Sequence, residues 1–86
     1  MKIKVKSRKI LGEYTCLHGL VPKNELPKKL RGKIPKNEIW IRKDIWDDRL
    51  ARNLTLLHEK VELQHMANGL TYKKAHKWAE VADGFW

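Results

Sequence analysis

All three prolines of this 86-residue chain, Pro22, Pro27 and Pro35, fall within residues 18–37, together with Gly19 and Gly32. Proline fixes φ and removes a backbone donor, so no long helix or central strand is expected to cross that stretch. Regular structure must therefore be built in two blocks, one on each side of it. In the first block, Lys2-Ile3-Lys4-Val5-Lys6 alternates with period two and predicts a half-exposed strand, with a second strand expected over about residues 9–17. Between the prolines a short helix is expected from an Asn24 cap to a Gly32 stop. Glu38-Ile39-Trp40-Ile41-Arg42, β-branched and aromatic between polar ends, is the strongest strand signal in the chain.

The second block reads as helix. Asp47 or Asp48 is expected to cap a helix running to about Asn68, with Leu50, Leu54, Leu57 and Val61 as its apolar stripe. Asn68-Gly69 is a stop, and Thr71 is expected to cap a last helix over about residues 72–83. Tyr72, Ala75, Ala79 and Ala82 form its expected buried face, with His76 inside the same arc. So short a connection predicts an antiparallel pair. The fold class expected is α+β: a small N-terminal β-sheet packed on a C-terminal antiparallel helical hairpin, in one domain of residues 1–86.

Composition narrows the class of function. Hydrophobic residues make up 42%, too many for a disordered tail. No apolar run approaches the ~18 residues of a membrane span, and the N-terminus lacks the apolar centre of a signal peptide. Cys16 is the single cysteine, so no internal disulfide can form, and a reducing, cytoplasmic setting with no membrane partner is expected. Cys16 and His18 make a Cys-x-His pair, but a zinc finger needs a second pair at matched spacing, and none exists. Lys and Arg number 19 against 10 Asp and Glu, and the excess is one-sided. Residues 1–43 hold 13 bases and three acids, whereas residues 44–86 hold six bases and seven acids.

The nearly neutral second half holds the residues suited to chemistry. With Leu50 at zero on a helical wheel, the expected stripe spans about −20° to 40°, with His65 near 60°, His58 near 80°, Glu62 near 120° and Glu59 near 180°. His58 and Glu62 are i, i+4 neighbours, so an imidazole and a carboxylate can reach one Zn²⁺. His76, on the following helix, completes a His₂Glu ligand set, with His65 as an alternative ligand. Glu80 lies one turn after His76 and is placed to orient its imidazole. Glu59 is placed to take a proton from the attacking water. Each also has a plain structural role open to it: an i, i+4 polar pair for His58 and Glu62, and a core-edge histidine for His76.

Ile39-Trp40-Ile41 followed by Leu56-Leu57-His58-Glu59-Lys60-Val61-Glu62 resembles the edge strand and active-site helix of zincin metallopeptidases. More narrowly it is similar to the very small minigluzincins. Met66, Gly69-Leu70-Thr71-Tyr72 and Ala75-His76-Lys77-Trp78-Ala79 extend a pattern similar to that of small microbial and phage proteins. The resemblance covers about residues 38–82 and implies a zinc cofactor, His58 as a ligand, Glu59 as general base, and a peptide or protein substrate. It departs from the family in ligand order. Zincins carry histidine where Glu62 stands, and gluzincins take a glutamate from the next helix where this chain has His76.

The basic half supports a different class of function, a small nucleic-acid-binding protein without catalysis. Lys2, Lys4 and Lys6 share one strand face, Arg8 and Lys9 follow, and Lys28, Lys29, Arg31 and Lys33 cluster in the proline-rich stretch. Such density can track a phosphate backbone, with Trp40 or Trp46 stacking on bases. Lysines on an edge strand also guard against aggregation, which is the plainer account of them. A third class is a non-catalytic interaction module that docks through Phe85-Trp86. Oligomeric state is open.

Overall fold

The computed structural model describes residues 1–83, with side chains described through Ala79, so Ala82, Phe85 and Trp86 lie outside the described side chains. The chain resolves into two compact units, Met1–Arg49 and Leu50–Trp86.

The first unit holds a three-stranded sheet of β1 (Lys2–Lys6), β2 (Cys16–His18) and β3 (Glu38–Arg42), in the order β1-β3-β2. The most strand-like segment is therefore central. β1 pairs with β3 in parallel, Lys4 opposite Trp40, and β2 pairs with it antiparallel, Leu17 opposite Trp40. Ile39 and Ile41 are buried, at 6% and 0% exposure, and join Leu11, Leu17, Val21, Leu26, Leu30 and Ile34 in the apolar core. β1 remains largely exposed, in keeping with its alternating lysines.

Two expectations for this unit are corrected. Residues 9–17 do not form one strand: α1 (Arg8–Leu11) is a single helical turn that buries Leu11, and only Cys16–His18 joins the sheet. Gly12, at φ +60°, ends that turn in a conformation that strands do not use. Nor does one helix join Asn24 to Gly32. Two 3₁₀ turns, Lys23–Glu25 and Lys28–Leu30, stand there instead, each opened by a proline, because Pro27 interrupts the hydrogen-bond ladder. Gly19 is required for space, since a Cβ there would overlap the Pro35 carbonyl.

At the end of β3, Arg42 is buried and its guanidinium forks onto Asp44, Nε to Oδ1 at 2.6 Å and Nη2 to Oδ2 at 3.0 Å. Its third arm donates to the Gly12 carbonyl at 2.8 Å, tying the turn after α1 to β3. The hydrogen bond from Arg42, with its charge, holds the Asp44 carboxyl below its usual range, against an opposing effect of burial. A carboxyl lowered in the folded state stabilises above its unfolded pKa and loses that contribution as pH falls through the folded value. Asp44→Asn is therefore expected to lower stability at pH 7, with the gap from wild type closing below about pH 4. Denaturant titrations at pH 7 and at pH 3 check this; a gap that does not shrink in acid contradicts it.

The long helix starts directly after Asp48, as expected, but it is not the first helix of this block. A short helix, α2 (Lys43–Asp47), comes first, and α3 (Arg49–Ala67) begins after a break at Asp48. α4 spans Tyr72–Asp83, and its Lys74 N–H donates to Thr71 Oγ1 at 3.4 Å, the N-cap bond expected there. α3 is closed two residues after its end by Gly69, which takes φ +97°. Gly69 N–H bonds to the Met66 carbonyl and Leu70 N–H to the His65 carbonyl, each at 3.0 Å. Those two bonds are the Schellman closure, which satisfies the last carbonyls and turns the chain back. The class is α+β, with a small sheet near the N-terminus and paired helices after it.

Candidate metal centre

The buried line of α3 does not follow its leucines. Leu50 is 69% exposed, and Leu54, Leu57 and Val61 are only half-buried. The residues of α3 that are buried are Glu59 and Glu62, at 6% and 2% exposure. On the wheel these stand at about 180° and 120°, so the inner line runs beside the expected stripe. Leu56 and Leu63, at about 240° and 220°, are half-buried on the far side. The exposed Asn53, Lys60, Gln64 and Ala67 mark the outside, at about 260–320°. The helix therefore carries two aliphatic rails with a polar seam between them. In the sequence, the second rail of Leu56 and Leu63 is the signal that marks this seam.

α4 presents Ala75 and Ala79, both at 0% exposure, as its inner line. Side chains this small let another helix backbone approach closely. His76, next in sequence to Ala75, turns Nδ1 toward α3. That atom lies 2.9 Å from Glu62 Oε2 and 3.4 Å from His58 Nε2, and His58 Nε2 is 3.5 Å from the same Glu62 oxygen. Three ligand-type atoms from two helices thus form a closed triangle.

Aromatic contacts fix the imidazole planes. Tyr72 stacks on His76 with ring centroids 5.6 Å apart, and the His58 ring meets His76 edge-on at 5.0 Å. Tyr72, one turn before His76, thereby limits its rotation. The Glu62 side chain is 2% exposed, that of His58 16% and that of His76 39%, so the triangle is sealed at the carboxylate and open at His76. Glu59 stands beside it, a carboxylate oxygen within 4.8 Å of one from Glu62, and its Oε2 is shielded from solvent. Two buried carboxylates this close call for positive charge, since a buried anion is costly unless paired. A protonated His58 or His76 supplies that charge, and so does a divalent cation held by the same atoms.

The donor separations allow a direct test of fit. Ligands about 2.0–2.2 Å from a tetrahedral zinc ion stand about 3.3–3.6 Å apart, whereas one face of an octahedron at those lengths has edges of about 2.8–3.1 Å. Two of the three observed edges, 3.4 and 3.5 Å, match the tetrahedron, and the third is 2.9 Å. Two nitrogens and one oxygen are donors that zinc accepts, so the residue types and two of the three edges are compatible with that ion. The His76–Glu62 edge is the shorter one of a direct hydrogen bond.

His65 is placed otherwise. Its ring stacks on Trp78 at 5.8 Å, and it is not among the converging atoms. The Glu80 side chain lies outside the described residues, so its expected contact with His76 is not described. His18 is fully buried on β2, where its Nδ1 accepts the Leu20 N–H at 3.2 Å; a neutral ring then carries its proton on Nε2. Cys16 and His18 share one face of β2, opposite Ile41 and Ile39. Among the described residues no helix is long and apolar enough to cross a membrane. The chain matches no protein-family model, no curated protein and no solved structure.

Proposed function

We propose that the helical pair binds one zinc ion through His58 Nε2, Glu62 Oε2 and His76 Nδ1, and that the protein is a minimal zinc-dependent hydrolase acting on peptide bonds. The observation that carries this is the triangle of 2.9, 3.4 and 3.5 Å between donors from two helices. An i, i+4 pair alone is an ordinary helix stabiliser, but it needs no third donor from another helix. Held by this set, zinc is a Lewis acid that makes water a better nucleophile near neutral pH.

The chain's own groups divide the remaining work. Glu62 supplies the anionic ligand and is kept from water. His58 and His76 present neutral nitrogens, their ring planes set by one another and by Tyr72. Glu59 supplies the carboxylate that accepts the proton from attacking water and returns it to the leaving amine. The more exposed His76 edge is the side on which a substrate meets the site. Hydrolysis of peptides follows the resemblance to zincins in His58-Glu59, and zinc binding follows the donor triangle.

Metal analysis of protein purified without a histidine tag tests the first half. About one zinc per chain is expected, and none after His58→Ala is combined with His76→Ala. A wild-type chain that stays free of metal and gives no heat on titration with zinc refutes the site.

A further inference from the structure

The unit Met1–Arg49 carries 14 of the 19 Lys and Arg residues against six acids, and none of that charge enters the zinc proposal. Its distribution is organised. Lys2, Lys4 and Lys6 lie on one face of β1, at about 6.7 Å intervals set by the strand rise. This is close to the separation of successive phosphates on an extended nucleic-acid strand. Trp40 lies directly opposite Lys4 on β3 and therefore shares that face. The Lys6 ammonium sits 4.4 Å from its ring centroid, and its Nε1–H donates to Glu38 Oε1 at 3.0 Å.

A second basic segment lies close to the turn that follows β1. Lys29 Nζ donates to the Lys9 carbonyl at 3.2 Å, which brings the basic 3₁₀ segment beside the turn that follows the strand. Two basic segments 20 residues apart in sequence are thereby joined on one unit. Lys28 and Lys33 are exposed, whereas Arg31 is turned back onto the Leu26 carbonyl. Of the acids near this face, Glu38 is occupied by the Trp40 indole, and Asp44 by Arg42, the residue opposite Lys6.

We infer that this face, Lys2, Lys4 and Lys6 with Trp40, continued by Lys9, Lys28 and Lys29, binds single-stranded nucleic acid along its phosphate backbone. Charge complementarity selects a polyanion. An aromatic ring set within the lysine row selects one whose bases can stack when Lys6 moves from the ring to a phosphate. The face is an exposed edge strand, and no helix of this unit is shown to present a side-chain row that would enter a duplex groove. The same unit is the source of both charge and aromatic, so the inference stands apart from the zinc site.

The test uses the full chain with EDTA present and a fluorescent 15-nucleotide oligothymidylate, its anisotropy followed from low to moderate salt. Binding is expected at low salt, weakening steeply as salt rises. The triple variant Lys2→Gln, Lys4→Gln, Lys6→Gln should lower the slope of log affinity against log salt by about 2, at about 0.7 for each phosphate no longer neutralised. Lys28→Gln with Lys29→Gln, in a separate segment, should lower it by about 1 on the same scale. His58→Ala should leave it unchanged. No binding at low salt overturns the inference and leaves the lysines as guards of an exposed edge. Tighter binding to duplex of equal length, or to phosphatidylserine vesicles with none to the oligonucleotide, overturns it as well.

Discussion

Replacing Glu62 by alanine is expected to abolish zinc binding and to remove all stabilisation of the helical pair by the metal. The carboxylate is the shared vertex of the triangle, 2.9 Å from one imidazole and 3.5 Å from the other, and its side chain is 2% exposed. Without it only two nitrogens remain. Zinc present at 100 times its dissociation constant stabilises a folded chain by about 2.7 kcal/mol. For a domain of this size that is a rise of about 10–20 °C in melting temperature. Wild type should show such a rise on adding zinc and lose it to EDTA, and Glu62→Ala should show none.

The metal-free comparison separates a ligand from a structural clamp. In the apo protein Glu62→Ala also removes the shorter of the two contacts of His76 Nδ1, at a cost of about 1–3 kcal/mol. The lower part of that range applies, because the His76 side chain is 39% exposed and water can replace the missing bond. Glu62→Gln keeps volume and an acceptor oxygen, so the apo protein should stay within about 1 kcal/mol of wild type while zinc affinity falls sharply. Melting curves of the three proteins with zinc and with EDTA supply all the comparisons. A Glu62→Ala variant that retains one tightly held zinc would sink the ligand assignment.

Glu59→Gln is expected to behave differently. It should keep one zinc per chain and lose about 10²–10⁴ in hydrolytic rate, the contribution typical of a positioned general base. Glutamine fills the same space beside Glu62 but cannot accept the proton. The measurement is zinc-loaded cleavage of a quenched fluorogenic peptide library by both proteins, alongside metal content. Loss of zinc with loss of rate would make Glu59 a ligand instead. A zinc-loaded wild-type protein that cleaves no peptide would end the hydrolase proposal and leave zinc binding standing.

Much of the fold was legible locally. The period-two lysines of β1, the β-branched run of β3 and the Asn68-Gly69 stop all appear where their patterns place them. In each, a short-range rule decides the outcome: alternation, propensity, or a glycine at positive φ. Residues 9–17 and 24–32 depart from their local patterns because proline and glycine cut them into single turns, whose boundaries depend on which side chains the core admits. Leu11 and Leu30 are buried from such turns, in positions that no periodicity announces.

The candidate site divides in the same way. Sequence by itself determined that His58 and Glu62 would be helical neighbours, because 3.6 residues per turn places i and i+4 together whatever surrounds them. It determined equally that basic charge would concentrate before residue 44 and that three prolines would separate two blocks of regular structure. Only tertiary structure decided that His76, not His65, closes the triangle, since that depends on how α4 folds back on α3 and on which ring Trp78 takes up. It also turned α3 so that two glutamates are buried and Leu50 is left in water. A helix with aliphatic rails on two sides has no single stripe to bury. Its rotation depends on which face its neighbours cover and on the partners they offer the buried glutamates, and a linear sequence does not specify those neighbours.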